Sequence, residues 1–106
     1  RLEAKLEKFE EEKSTLKADQ KAKKVAIKNS EELIVRYKKQ LENIKNNREF
    51  TSLTKELEFQ ELEIQLSDKR TNEIKAKVLM KDEVIASTTE DLNENKLNLI
   101  LKNLST

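Results

Sequence analysis

The sequence predicts an all-α protein: a long antiparallel coiled-coil hairpin of two helices, with its turn near residues 45–51. Three observations carry this. The 106 residues include no Gly and no Pro, where an average chain of this length holds roughly a dozen, so the usual chemistry of tight hairpins and strand connections is missing. Charged residues make up 41%, and the chain is rich in Lys, Glu, Leu, Asn and Ile, the vocabulary of exposed helices. Apolar residues recur in alternating steps of four and three, which is helical spacing.

In the first half the steps fall at positions 2, 6, 9, 13, 16, 20, 23, 27, 30, 34, 37, 41 and 44. Leu2, Leu6, Phe9, Leu16, Ile27, Ile34, Tyr37, Leu41 and Ile44 are apolar there; Lys13, Gln20, Lys23 and Ser30 are the exceptions. A mean spacing of about 3.5 over this length is a coiled-coil seam with left-handed supercoiling. The first helix is therefore expected over about residues 1–45. The second half has its own seam: Phe50, Leu53, Leu57, Gln60, Ile64, Ser67, Thr71, Ile74, Val78, Lys81, Ile85, Thr88, Leu92, Asn95 and Leu99. It places the second helix over about residues 52–104. Extending the first seam would put Arg48, Thr51 and Lys55 inside instead, so the phase breaks between residues 45 and 50.

The break reads Asn46-Asn47-Arg48-Glu49-Phe50, and the turn is expected at 46–51. Asn tolerates left-handed backbone and caps helices. Asn46 followed by Glu49 has capping-box-like spacing, with Thr51 and Ser52 as alternative caps. The rival architecture, one continuous helix in a parallel dimer, must carry the phase slip without compensation. In the hairpin, a single register pairs Ile44 with Leu53, Leu41 with Leu57, Tyr37 with Gln60 and Ile34 with Ile64. It continues through Ser30 with Ser67, Ile27 with Thr71, Lys23 with Ile74, Gln20 with Val78 and Leu6 with Leu92. The polar layers predict a thinner, more mobile or bent region around residues 13–30 and 67–85, where Lys and Gln stems cover apolar neighbours while their heads reach water.

Two apolar groups exceed what the seam needs. Phe59, Leu62 and Leu66 form a second face on the second helix, a candidate partner surface. Leu97, Leu99, Ile100, Leu101 and Leu104 wrap most of the helix circumference, as expected of burial under something absent from this sequence. A two-helix hairpin has little core, so dimerisation is left open as a further source of stability.

Catalytic signals are close to nil, and the chain is expected not to be an enzyme. It has no His and no Cys, which removes the usual proton shuttle, thiolate chemistry and the ordinary ligands of zinc. Glu10-Glu11-Glu12 and Glu31-Glu32 pair carboxylates, but a two-helix rod has no cleft to perturb them. No metal site, no cofactor and no small-molecule substrate are expected in these residues. Net charge is +1, so no global field selects a partner. Lys17, Lys21, Lys23, Lys24 and Lys28 form a local basic cluster that could contact nucleic-acid phosphates without base readout. No aromatic-interleaved or Arg-rich patch accompanies it. The longest apolar runs are three residues, such as Leu33-Ile34-Val35, against about 20 for a membrane span. With no signal peptide and no Cys, the chain is expected in the cytoplasm, without a membrane partner. It starts at Arg1 within a helical pattern, which reads as a piece of a longer protein.

The stretch from Tyr37-Lys-Lys-Gln-Leu41 through Asn46-Asn47-Arg48-Glu49-Phe50 to Leu53-Thr-Lys55-Glu56-Leu57-Glu58-Phe59-Gln60 and Lys69-Arg70 resembles the bacterial C4-type zinc-ribbon family of coiled-coil proteins. In that family a helical hairpin precedes a C-terminal ribbon. The match covers about residues 34–70; its specific core is Asn-Asn-Arg-Glu-Phe-x-x-Leu-x-Lys-Glu. The resemblance implies a zinc ribbon after Thr106, with Leu97, Ile100, Leu101 and Leu104 near the junction. It also implies an adaptor for an alternative sigma factor or for secretion and flagellar components, or a nucleic-acid-binding protein. The family's CxxC pairs have no counterpart here, so no metal ligand is carried over. The leading expectation is thus a non-enzymatic scaffold or adaptor for protein–protein interaction. Nucleic-acid binding is the alternative, and a purely structural coiled-coil spacer the third reading.

Overall fold

The structure is a computed structural model and describes residues 1–105. It is an antiparallel helical hairpin of two helices, α1 (Leu2–Glu42) and α2 (Asn47–Leu104). No strand occurs among the described residues. The chain divides into two units. One spans Asp19–Glu73 and contains the reversal; the other joins Arg1–Ala18 to the part of α2 from Ile74 onward.

The reversal takes only four residues, Asn43 to Asn46. The Asn43 N–H donates to the Gln40 carbonyl at 3.1 Å and the Ile44 N–H to that of Leu41 at 3.4 Å. These i→i−3 bonds tighten the last turn of α1 and satisfy carbonyls that have lost their helical partners. Asn46 then caps α2. Its Oδ1 accepts the Arg48 N–H at 2.8 Å, and its carbonyl accepts the Phe50 N–H at 3.0 Å as the first helical bond. Glu49 in the first turn of α2 and Lys39 in the last turn of α1 complement the helix dipoles.

This differs from the expected turn at 46–51. Asn47, Arg48, Glu49 and Phe50 are already helical, because the cap falls on the earlier of the two Asn. Thr51 is no cap either: its hydroxyl donates back to the Asn47 carbonyl at 2.9 Å, inside the helix. Nor does the reversal use left-handed backbone, since no described residue has positive φ.

The first seam is reproduced position for position: every one of its residues from Leu2 to Ile44 is partly covered. In α2 the covered stripe runs from Leu53 to Leu92, while Phe50, Asn95 and Leu99 at its ends are exposed. In the unit around the reversal, the most buried side chains are Leu57, Gln60 and Thr71. Thr71 satisfies its hydroxyl by donating to the Ser67 carbonyl at 2.8 Å, a local bond open to Thr within a helix. In the other unit they are Ile74 and Thr88. The region expected to be thin therefore holds two of the best-covered positions, Thr71 and Ile74.

Because Asn46 alone supplies the side-chain cap of α2, Asn46→Ala should lower stability by about 1 kcal/mol. Asn46→Ser should keep most of it. Urea unfolding followed by helical circular dichroism measures both.

Candidate protein-interaction surfaces

A helix packed along one stripe leaves its other faces in water, and what stands on them is the functional question. In the unit around the reversal, Phe59, Leu62 and Leu66 follow i, i+3, i+7 spacing and share one stripe of α2. They are 54%, 62% and 42% exposed, respectively. The surrounding stretch, residues 56–68, contains Glu56, Glu58, Glu61, Glu63 and Asp68 and no Lys or Arg. This is an apolar stripe in an acidic frame.

On α1 of the same unit, Lys21, Lys24 and Lys28 are exposed and follow helical spacing along one side. Lys23 does not join them. It sits on the seam, partly covered, and pairs with Asp19 at 3.2 Å, so the basic cluster is smaller than the sequence suggested. Next to the lysines lie Ala22 and Val25, both exposed. Lys17, exposed as well, belongs to the other unit. The reversal itself carries a shallow hollow of about 590 Å³ between Gln40 and Ile44 on one side and Ser52, Leu53 and Glu56 on the other. Arg48 and Glu49, two of the residues expected in the turn, line it. Phe50 is exposed on the first turn of α2.

In the other unit, every residue from Asn93 to Ser105 is exposed. Leu97, Ile100, Leu101 and Leu104 fall on one stripe, and Leu99 stands on the opposite side, continuing the seam. An open groove of about 520 Å³ lies beside the seam, lined by Leu16, Met80 and Val84 together with Glu12, Thr15, Lys77 and Lys81. Its rim is pinned by charge. Lys81 donates to Glu12 and also lies over the Phe9 ring, 5.2 Å from its centre, a cation–π geometry. Lys13 pairs with Asp82. At the polar seam positions Lys13 and Lys81 the heads pair with carboxylates, Asp82 and Glu12. The expected register sets Glu12 level with Ile85 and Lys13 with Val84. The ion pairs reach two to four residues nearer the reversal, which long side chains allow, since a helical turn is about 5.4 Å.

No cluster of three or more Asp or Glu side chains among the described residues could hold a metal ion, and the sequence has no Cys or His. The zinc implied by the family resemblance finds no ligands in these residues. No helix among them is long and apolar enough to cross a membrane. The fold and its surfaces define a class: a coiled-coil hairpin with unpartnered apolar stripes. Comparison with family models, with characterised proteins and with solved structures finds no match for this chain.

The hydrogen bond from Lys81 and the positive charges of Lys81 and Lys8 hold the Glu12 carboxyl below its ordinary value of 4.5, against a smaller opposing effect of desolvation. A carboxyl depressed by folding stabilises the fold above its unfolded value, and that contribution is lost as pH falls through the folded value. Wild type should therefore be more stable than Glu12→Gln at neutral pH. The gap should close as pH drops below about 4.5, read as the difference in melting temperature between the two proteins across pH.

Proposed function

We propose that this protein is a non-enzymatic coiled-coil scaffold or adaptor that works by protein–protein interaction, with Phe59, Leu62 and Leu66 as its recognition face. The observation that carries the reading is the exposure of those three large side chains on a single stripe of a helix whose core-facing side is already satisfied. An isolated exposed Leu is ordinary; a contiguous stripe including Phe, framed by carboxylates, is what binding surfaces present. The Leu97–Leu104 stripe offers a second docking element of the same chemistry. The resemblance to the zinc-ribbon coiled-coil family supports an adaptor role in the bacterial cytoplasm, serving transcription or secretion components, with zinc held in a part of the protein outside these residues.

The test is partner capture by the purified chain carrying Phe59→Ser and Leu62→Ser. Both side chains are exposed, so stability should change by no more than about 0.5 kcal/mol per site, and helicity should be retained. Capture of the partner protein should be lost. Retained capture by a folded double variant removes this face as the recognition surface.

A second reading, phosphate contact by Lys21, Lys24 and Lys28, is favoured by their exposure on one side of α1. It predicts nucleic-acid affinity that falls linearly in log–log plots against salt, with a slope reduced when these lysines become Gln. Absence of binding at low salt in an electrophoretic mobility assay eliminates it.

A further inference from the structure

We propose that the Phe59–Leu62–Leu66 stripe of one copy docks on the Ala22–Val25–Asn29 stripe of α1 in a second copy, so that the chain self-associates through two unlike faces. This rests on reading the Phe59 stripe as an interaction face, and it names what covers it.

Both stripes belong to the unit around the reversal, and both are exposed. Their steps match. Ala22, Val25 and Asn29 are spaced three then four; so are Phe59, Leu62 and Leu66. Run in parallel, the helices set Ala22 against Phe59, Val25 against Leu62 and Asn29 against Leu66. An antiparallel arrangement sets a three-step against a four-step and loses the match. The first layer pairs the smallest side chain with the largest, which is how helices approach closely without a void.

Charge selects the same partner. The frame of the Phe59 stripe, residues 56–68, is purely acidic in its charged residues, and residues 20–28 of α1 are purely basic in theirs. Packing the Phe59 stripe on itself would instead bring two acidic frames together, a like-charge contact that opposes association.

Charge exchange tests this with the full chain. One variant carries Lys21→Glu, Lys24→Glu and Lys28→Glu; the other carries Glu58→Lys, Glu61→Lys and Glu63→Lys. Each alone sets like charges against each other, so each should run as the 12.4 kDa single chain in light scattering at concentrations where wild type is larger. Self-affinity of each should fall at least about tenfold. An equimolar mixture should recover the larger species, because each variant then meets its complement. Misfolding cannot produce that recovery. A monomeric wild type, or wild-type-like association of each variant alone, overturns the proposal, as does a mixture that stays monomeric. The outcomes separate this proposal from the adaptor reading. A monomeric wild type that loses capture of another protein upon Phe59→Ser and Leu62→Ser overturns self-association and leaves the recognition face standing. Self-association that follows the charge exchange, with capture indifferent to those serines, supports the docking of copies and overturns the adaptor role of the face.

Discussion

A helix can cover only one stripe of its neighbour, and most of what this protein presents follows from that limit. With two helices there is one seam, and the seam accounts for one pair of positions in seven on each helix. The side chains classed as buried are few, and Leu57 and Ile74 are the only apolar ones among the described residues. Gln60, Thr71 and Thr88 share the interior with them. Such a fold draws its stability from length, from partial coverage repeated along the seam, and from local terms: the cap at Asn46 and ion pairs at seam positions where an apolar side chain is missing. None of these is large alone, since caps and exposed pairs contribute on the order of 1 kcal/mol or less each.

The limit also explains which parts of the structure could be read from the sequence. Seam positions were readable because coverage in a coiled coil is periodic, and a break in phase needs a cause. The step from Ile44 to Leu53 located the reversal within a few residues. Its bounds were not readable. The spacing from Asn46 to Glu49 marks Asn46 as a cap, as found, but how soon α2 starts depends on how soon the α1 carbonyls can be satisfied. Two i→i−3 bonds at Asn43 and Ile44 do this at once, so α2 begins directly after Asn46. Phe50 keeps the phase of Leu53 but lies past the end of α1, and it stays exposed. Burial of Thr71 was also hidden. Spacing gave its position, but hydropathy marked it as weak, and only the bond to the Ser67 carbonyl shows why a hydroxyl is tolerated there.

For the surfaces, the sequence identified Phe59, Leu62 and Leu66 by their departure from the seam, and their exposure agrees with that. It treated the lysines of α1 as one cluster, and there it was too coarse. Seam membership removes Lys23 from the solvent face, and its pairing with Asp19 neutralises it. The groove beside Leu16, Met80 and Val84 had no signal at all. Its residues come from two helices and are brought together only by the register, across which side chains as long as Lys81 and Glu12 reach. Sequence spacing describes one helix at a time; a groove belongs to two.

Charge along the chain makes sense only once the seam has been assigned. Overall the protein is nearly neutral, with a net of +1, so no global field arises from its lysines and carboxylates. Their segregation is local: lysines beside the small residues of α1, carboxylates around the large residues of α2. Interspersed charge would serve solubility equally well and would leave both stripes non-selective. Segregated charge of opposite sign instead gives each apolar stripe a preferred counterpart and penalises like on like. An acidic-framed stripe of Phe and Leu, and a basic-framed stripe of Ala, Val and Asn with the same step pattern, are two halves of one specification, and both are carried by the same chain.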